Sequence, residues 1–497
     1  MAGYKRSRKE LEQRLDSVVG KTLKEADVND AFAKTIGHPK VTGIAGDVVE
    51  QSILNYPSNS DQAADLLVDG VQTEVKTTGI RYSNKSMRGN PGPGDFEAKE
   101  PMSITAVSPE TIVNETFLDS NLWGKLKHTL IVYYHYASKT TVLAEEYQRF
   151  VIKGYDFHEF SDEDRQTLES DWQKVRDYII DAQQNHSDEL DERYAMLGST
   201  LRKELTMLDT APKWPHRPRF RLKRAAVSTM VHEHFSSEKY QKLAAGVNTI
   251  DSLTKRLHDY TERYKGMTVD QLLQQFNISS SEKIDKKVTK SVAEKIVLKM
   301  FHSDATSFGK VKLFQKSGII PKTITLKADS GHHTEDVKLF SIDFDELIAN
   351  QSFETSDFYN YFNESKFLFI CFAQHEQRGK RLKNTFEGFK LIIPSDDMIE
   401  KAKDVWQDTR RLVINKELKE EVRRYAKTGE IIYNKKTQLP QTVLNFMKSR
   451  QNIIFIRGTG TDSTRKPEQV NGISMYKQYL WIRGKEIASL LKTESFI

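Results

Sequence analysis

The chain is 497 residues long, with 75 lysines and arginines against 69 aspartates and glutamates and a formal net charge of +6. That length predicts two or more domains, each with its own core, and the near balance of charge permits a nucleic-acid partner without arguing for one. One cysteine, Cys371, excludes an intramolecular disulfide and a zinc framework, while no apolar run is long enough for export or membrane insertion, so a cytoplasmic protein with no membrane partner is expected.

In chain order, the first motif is Val19-Gly-Lys-Thr-Leu23. Residues 41–54 carry apolar side chains at 44, 45, 48, 49, 53 and 54, a spacing that predicts an amphipathic helix with Glu50 beside the stripe. The next run, Asp65-Leu-Leu-Val-Asp-Gly-Val-Gln-Thr-Glu-Val-Lys76, is the most informative. Asp69-Gly70 between apolar-rich stretches predicts a two-residue hairpin, because both central residues of a type I′ turn need a positive φ. That turn pairs Val68 with Val71, Leu67 with Gln72 and Leu66 with Thr73, and sets Asp65 opposite Glu74.

Like charges facing each other across a ladder destabilise a sheet. Strand alternation adds Lys76 to the same face. Two hard carboxylates can hold Mg²⁺ through oxygen and leave positions for water and a phosphate, with Glu50 as a third acidic group and Lys76 stabilising developing charge. The pattern therefore suits hydrolysis of a phosphodiester, although a solvated hairpin face would read the same way.

Further on, residues 82–100, containing Gly89-Asn-Pro-Gly-Pro-Gly94, predict an insertion between strands. Residues 217–224 read as a strand with Arg217, Arg219, Arg221 and Lys223 on one face and Pro218, Phe220 and Leu222 on the other. Such a row of cations suits phosphate contact and guanine recognition; the alternative is an edge strand charged against aggregation.

Gly43-x-x-Gly46-x-x-x-Glu50, then Asp65, then Glu74-Val-Lys76 resembles the MutH family, which comprises mismatch-repair nicking endonucleases and Sau-type restriction endonucleases that cut at GATC. The order continues in Val19 to Leu23, in Phe117 to Lys127 ahead of a strand at 129–134, in the helix-like run 161–183 and in Pro218 to Lys223. The resemblance covers roughly residues 10–235. It implies Glu50, Asp65 and Glu74 as ligands of Mg²⁺, Lys76 as a catalytic group and Lys125 as a lysine that approaches the scissile phosphate. There are departures: Thr42 stands where a lysine is usual, with Lys40 nearest, and Arg221 replaces an aromatic residue tied to methylation sensing. Methyl sensitivity is therefore not carried over.

The second half reads as a worn copy of the first. Lys265-Gly-Met-Thr-Val269 echoes Val19 to Leu23, Thr325-Leu-Lys327 echoes Glu74-Val-Lys76, residues 353–372 echo 117–134, and Trp406-Gln-x-x-Arg410 echoes Trp172-Gln-x-x-Arg176. Thr325 then replaces Glu74, and Val297 or Leu298 replaces Glu50, so the copy should bind and not cut. Its basic Gly-rich run 457–466 and the strand 479–483 match 197–203 and 218–223.

The sequence thus predicts an α/β protein of tandem restriction-endonuclease-like domains, each a mixed sheet flanked by helices, forming a pseudo-dimer within one chain. A catalytic domain spans 1–240 and a degenerate DNA-binding domain 241–497, joined near 236–246. The expected function is that of a type II restriction endonuclease, Mg²⁺-dependent, cutting double-stranded DNA at GATC to leave 5′-phosphate ends, with transient pairing of molecules when two sites are bridged. A mismatch-repair nickase and a non-cutting DNA-binding module are the alternatives. Expected DNA contacts are Arg202, Lys203, Arg217, Arg219, Arg221 and Lys223 in the first domain and Arg465 and Lys466 in the second.

Overall fold

The computed structural model describes residues 4–39, 41–56, 64–83, 92–212, 214–244, 246–278, 290–328, 335–375, 381–425, 427–435, 437–460, 462, 464–493 and 495–497. The chain divides into two compact units, one of residues 1–138, 142–256 and 301–319, the other of 139–141, 257–300 and 320–497. The first unit therefore takes in 241–256 and 301–319 as well, where the sequence placed a boundary at 240. The returning segment is fastened by charge: Lys316 and Lys312 reach the buried Asp164 at 3.0 and 3.1 Å.

The first unit is built on a mixed sheet in the order β1 (Tyr4–Arg6), β2 (Leu66–Val68), β3 (Val71–Tyr82), β6 (Thr129–His135), β7 (Val151–His158), with β4 (Phe96–Ala98) paired to the far end of β3. β3 and β6 run parallel, and β7 returns antiparallel to β6. A strand buried on both faces must be apolar at successive positions, and β6 is. Ile131 and Tyr133 pack with Trp123, Leu168 and Trp172 on one side, while Leu130, Val132 and Tyr134 pack with Leu11, Val48 and Val49 on the other. A second sheet has the order β5 (Met102–Ala106), β9 (Arg219–Leu222), β8 (Leu208–Ala211).

The second unit repeats these pairings. Its sheet β10 (Ile319–Lys327), β12 (Lys366–Gln374), β13 (Thr385–Ile392) has an antiparallel β12–β13 pair like β6–β7. Its other sheet sets β19 (Lys477–Ile482) between β11 (Val337–Ser341) and β16 (Ile454–Thr459), as β9 lies between β5 and β8. Two hairpins have no partner among the described residues of the first unit: β14 (Glu420–Val422) with β15 (Thr442–Leu444), and β17 (Glu468–Val470) with β18 (Ile473–Met475).

The likeness extends to single hydrogen bonds. Thr22 and Thr268 each cap a helix in a capping box, with the same backbone angles of φ −72° and ψ 158°. Gly20 donates to Ile152 and Leu23 to Phe150; correspondingly Gly266 donates to Phe386 and Val269 to Asn384. Ser120 and Ser356 each donate to a phenylalanine carbonyl three residues back, Phe117 or Phe353, and each accepts from the amide three residues ahead. Trp172 and Trp406 lie buried in the helices Asp162–Asn185 and Asp396–Ile414, each overlaid by its own arginine, Arg176 or Arg410. One expected match fails. Residues 197–201 end a helix, whereas 457–459 end strand β16, so the two basic runs are not equivalent.

Candidate active site

The hairpin forms in the register its turn chemistry dictates. Asp69 and Gly70 have φ of 46° and 87°, and the ladder pairs Leu66 with Thr73, Leu67 with Gln72 and Val68 with Val71. Asp69 also accepts a hydrogen bond from the Arg8 amide at 3.2 Å, which is a structural task. One step beyond the ladder, Asp65 Oδ2 accepts from the amide of Val75, the neighbour of Glu74, at 2.9 Å.

Glu74 is buried. Lys76 Nζ lies 2.5 Å from its Oε1, and Lys125 Nζ lies 2.9 Å from both of its oxygens. Lys125 is held by the short helix Asn121–Leu126, whose N-cap Ser120 accepts from the Trp123 amide at 3.2 Å. A buried carboxylate left without partners costs several kcal/mol, of order 3–5 when one member of an existing pair is removed. Two ammonium groups offset that here.

Glu50 approaches from the other side. Helical structure begins at Ile44, but from Val48 to Ile53 it widens into a π-helix, where one continuous α-helix was expected. π-helical turns mark functional sites more often than chance would give. A Cβ added at Gly46 would stand 4.0 Å from Glu50 Oε1 and 3.6 Å from Thr77 Oγ1, so the carboxylate lies alongside β3. Burial raises the Glu50 pKa to about 7, with repulsion from Asp65, Asp47 and Glu74 adding to it and Lys76 opposing. Burial and the charge of Glu74 likewise push Asp65 upward, against the Val75 hydrogen bond and the two lysines.

Sequence reasoning gave no sign of Tyr56. Its ring is buried and stacks on Tyr4 at 5.6 Å, its hydroxyl has no hydrogen-bond partner among the described residues, and its ionisation is suppressed by burial and then by Glu50, Asp65 and Glu74. Only the fold brings it beside the carboxylates, since it follows the π-helix and precedes the hairpin.

Three carboxylates against Lys76 and Lys125 leave one formal negative charge, and the donors are hard oxygens. A divalent cation fits that chemistry, with Asp65 and Glu74 as its holders and Glu50 beside them. Among the described residues no three such groups are gathered closely enough to clasp an ion by themselves. Holding it requires Glu74 to share an oxygen now given to the lysines.

The cationic row is thinner than the sequence suggested. Phe220 and Leu222 are buried, as expected, and β9 is the central strand of its sheet, so the edge-strand reading does not apply. Lys223, however, is a correction. The strand ends at Leu222, and Lys223 turns inward as the residue preceding the helix Arg224–Phe235, 8% exposed, donating to the Leu205 carbonyl; its charge favours the ionised form of the buried Asp171, whose oxygens accept from the amides of Thr206, Met207 and Leu208. Arg221 forms a bidentate pair with Asp209, its neighbour across the ladder, at 2.8 and 3.0 Å, and Arg217 binds Glu110 at 2.7 Å. Arg219 is exposed. Arg202 caps the end of the helix Leu190–Leu201 and Lys203 follows it, exposed. In the second unit Arg465 is exposed beside Asp462, and Lys466 is tied to Glu420 at 2.5 Å. Lys40 and residues 84–91 of the expected insertion lie outside the described residues.

The family model of the DNA mismatch repair enzyme MutH matches residues 54–171. The match contains Asp65, Glu74, Lys76 and Lys125, and Glu50 stands just ahead of it. This stretch of the first unit is MutH-like, and its mixed sheet flanked by helices agrees with a restriction-endonuclease-like fold. No curated protein matches the chain. Among the described residues no helix is long and apolar enough to cross a membrane.

Proposed function

We propose that the chain is a sequence-specific endonuclease of duplex DNA, with Glu50, Asp65, Glu74, Lys76 and Lys125 as its catalytic set. The observation that carries this reading is the clasp of Glu74 by Lys76 and Lys125 on a hairpin that also sets Asp65 beside it, all within the MutH-like stretch. Mg²⁺, when bound by Asp65, Glu74 and Glu50, supplies an activated water and neutralises phosphate charge. The chain's own groups do the rest. Lys76 and Lys125 place two ammonium groups at one carboxylate, where they can meet a phosphate and stabilise negative charge as it develops. Arg219, Arg221 and Arg217 border the phosphate backbone, and Arg202 and Lys203 extend that border.

The finer reading is a type II restriction enzyme of the Sau type, cutting at GATC and leaving 5′-phosphate ends. It is supported by the second unit, which repeats the first down to the Gly20/Gly266 and Thr22/Thr268 bonds, as a tandem pseudo-dimer would. In that copy Thr325 replaces Glu74 and Val297 or Leu298, both buried, replaces Glu50. With one catalytic set per chain, two strands are cut in sequence or by two molecules pairing on DNA. The competing reading, a mismatch-repair nickase, shares the same chemistry. Plasmids with and without adenine methylation separate the two: double-strand cutting at GATC by the chain alone supports the restriction enzyme. Nicking that needs a mismatch-repair partner supports the alternative.

A further inference from the structure

The segment 419–445 of the second unit has no counterpart among the described residues of the first. Between the Trp-bearing helix and the following strand, the first unit runs through the helix Leu190–Leu201; the second instead projects the β14–β15 ribbon. Past the paired strands the ribbon splits into two small hairpins, closed by the bridges Arg424 to Ile431 and Tyr433 to Pro440. An isolated two-stranded ribbon is marginal in water, so its base needs anchoring. Asn445 supplies that by accepting from the Lys419 amide and donating to the Glu417 carbonyl, and the buried Phe446 stacks on Phe344 at 5.8 Å. Lys466 and Thr442 both bind Glu420.

What the anchored ribbon offers to solvent is unusual for a structural hairpin. Tyr425, Tyr433, Leu439 and Val422 are 54, 49, 46 and 42% exposed. Its described cations are Lys419, Arg423, Arg424, Lys427 and Lys435, against Glu420, Glu421 and Glu430. Glu420 is consumed by Lys466, while among the described residues the Arg423 and Arg424 side chains donate to neutral acceptors, the Gln441 side chain and the Gly429 carbonyl, and meet no counter-charge. At the ribbon's foot a cavity of about 740 Å³ is lined by Arg423, Lys448, Arg457, Lys466, Gln441 and Tyr476, with Glu420 as its acid.

We propose that the ribbon 419–445 is an arm that enters a groove of duplex DNA, with Arg423, Arg424, Lys427 and Lys435 on phosphates and the cavity at its foot facing the backbone. A two-stranded ribbon has the width of a DNA groove element, and exposed cations interleaved with tyrosine hydroxyls suit the phosphates of a duplex backbone. The inference rests on the reading that the chain acts on DNA. It moves the second unit's binding surface from the Gly-rich loop of Arg465 and Lys466 to the ribbon.

The test is fluorescence anisotropy of the full-length chain with a labelled 30-base-pair duplex, without divalent ions, across a salt series. The triple variant R424A/K427A/K435A is expected to bind about tenfold more weakly and to lose roughly one unit of salt slope per phosphate contact. If that variant folds poorly, Lys427→Glu alone, at an exposed tip, gives the same readout in the same direction. Unchanged affinity and slope overturn the proposal, as does displacement of the duplex by equimolar single-stranded RNA or polyglutamate. Because the binding assay contains no divalent ion it reads the arm apart from cleavage: a chain that binds through the ribbon there, yet does not cut once Mg²⁺ is added, counts against the endonuclease reading and leaves the arm intact.

Discussion

Lys125 Nζ stands 2.9 Å from both carboxylate oxygens of Glu74, although 51 residues separate the two in sequence. The contact joins a short helix to the hairpin strand and puts a second ammonium where strand alternation supplies only one. Lys125→Ala should therefore slow single-turnover cleavage by about 10²-fold, the scale of one lost charge-stabilising group, while changing DNA affinity little. Equal single-turnover rates for variant and parent dismiss Lys125 from the chemistry.

Glu74→Gln and Asp65→Ala should both abolish cleavage and leave DNA binding in place. Their stabilities should differ. Glu74→Gln strips two buried-side ammonium groups of their counter-charge and should cost about 1–3 kcal/mol. Asp65→Ala loses the Val75 hydrogen bond but relieves the crowding of like charge, so denaturant titration should find it near neutral. Asp69→Asn is the control: it tolerates the positive φ of the turn and should retain full activity.

Glu50 links stability to pH. Its folded pKa of about 7 lies above its unperturbed 4.5, so the folded state holds the proton more tightly than the unfolded chain. The stability this contributes is complete below about 4.5 and lost as pH rises through 7. Without divalent ions, Glu50→Gln should flatten the melting-temperature profile between pH 5 and 8 and raise stability at pH 8 by roughly 1–2 kcal/mol after solvent screening. A parallel offset of the two profiles across that range contradicts the assignment.

Lys223 and Arg219, neighbours in the predicted cationic row, should behave in opposite ways. Lys223→Ala takes the buried donor from the Leu205 carbonyl and a favourable charge from Asp171, and should destabilise by about 1–3 kcal/mol, with no change in the salt slope of DNA binding. Arg219→Ala should leave the melting temperature unchanged and reduce that slope by about one. Thermal unfolding and a salt titration on the two variants read both effects.

Much of this arrangement was legible in the residues themselves. The Asp69-Gly70 turn fixes the hairpin register outright, because only that pairing gives both central residues a positive φ. The echo of Val19 to Leu23 in Lys265 to Val269 was legible too, and in the structure Thr22 and Thr268 cap their helices alike. What escaped depends on tertiary context. Strand alternation placed Lys223 outward, but the ladder stops at Leu222 and the ammonium turns in to the Leu205 carbonyl. Widening of the Glu50 helix to a π-turn leaves no mark in an apolar period, and the charge partners of Arg221 and Arg217 come from Asp209 and Glu110, too far off in sequence to be read. The resemblance between 197–203 and 457–466 was one of composition only, since a helix end and a strand end can share Gly, Thr and Arg.

The most direct measurement is digestion of a GATC-bearing plasmid by the purified chain in Mg²⁺, in parallel with Asp65→Ala, followed by sequencing of the ends. The account predicts linear products with 5′-phosphates at GATC from the parent and intact, bound plasmid from the variant. Plasmid that is bound but uncut by the parent in Mg²⁺, or cut equally by Asp65→Ala, contradicts it.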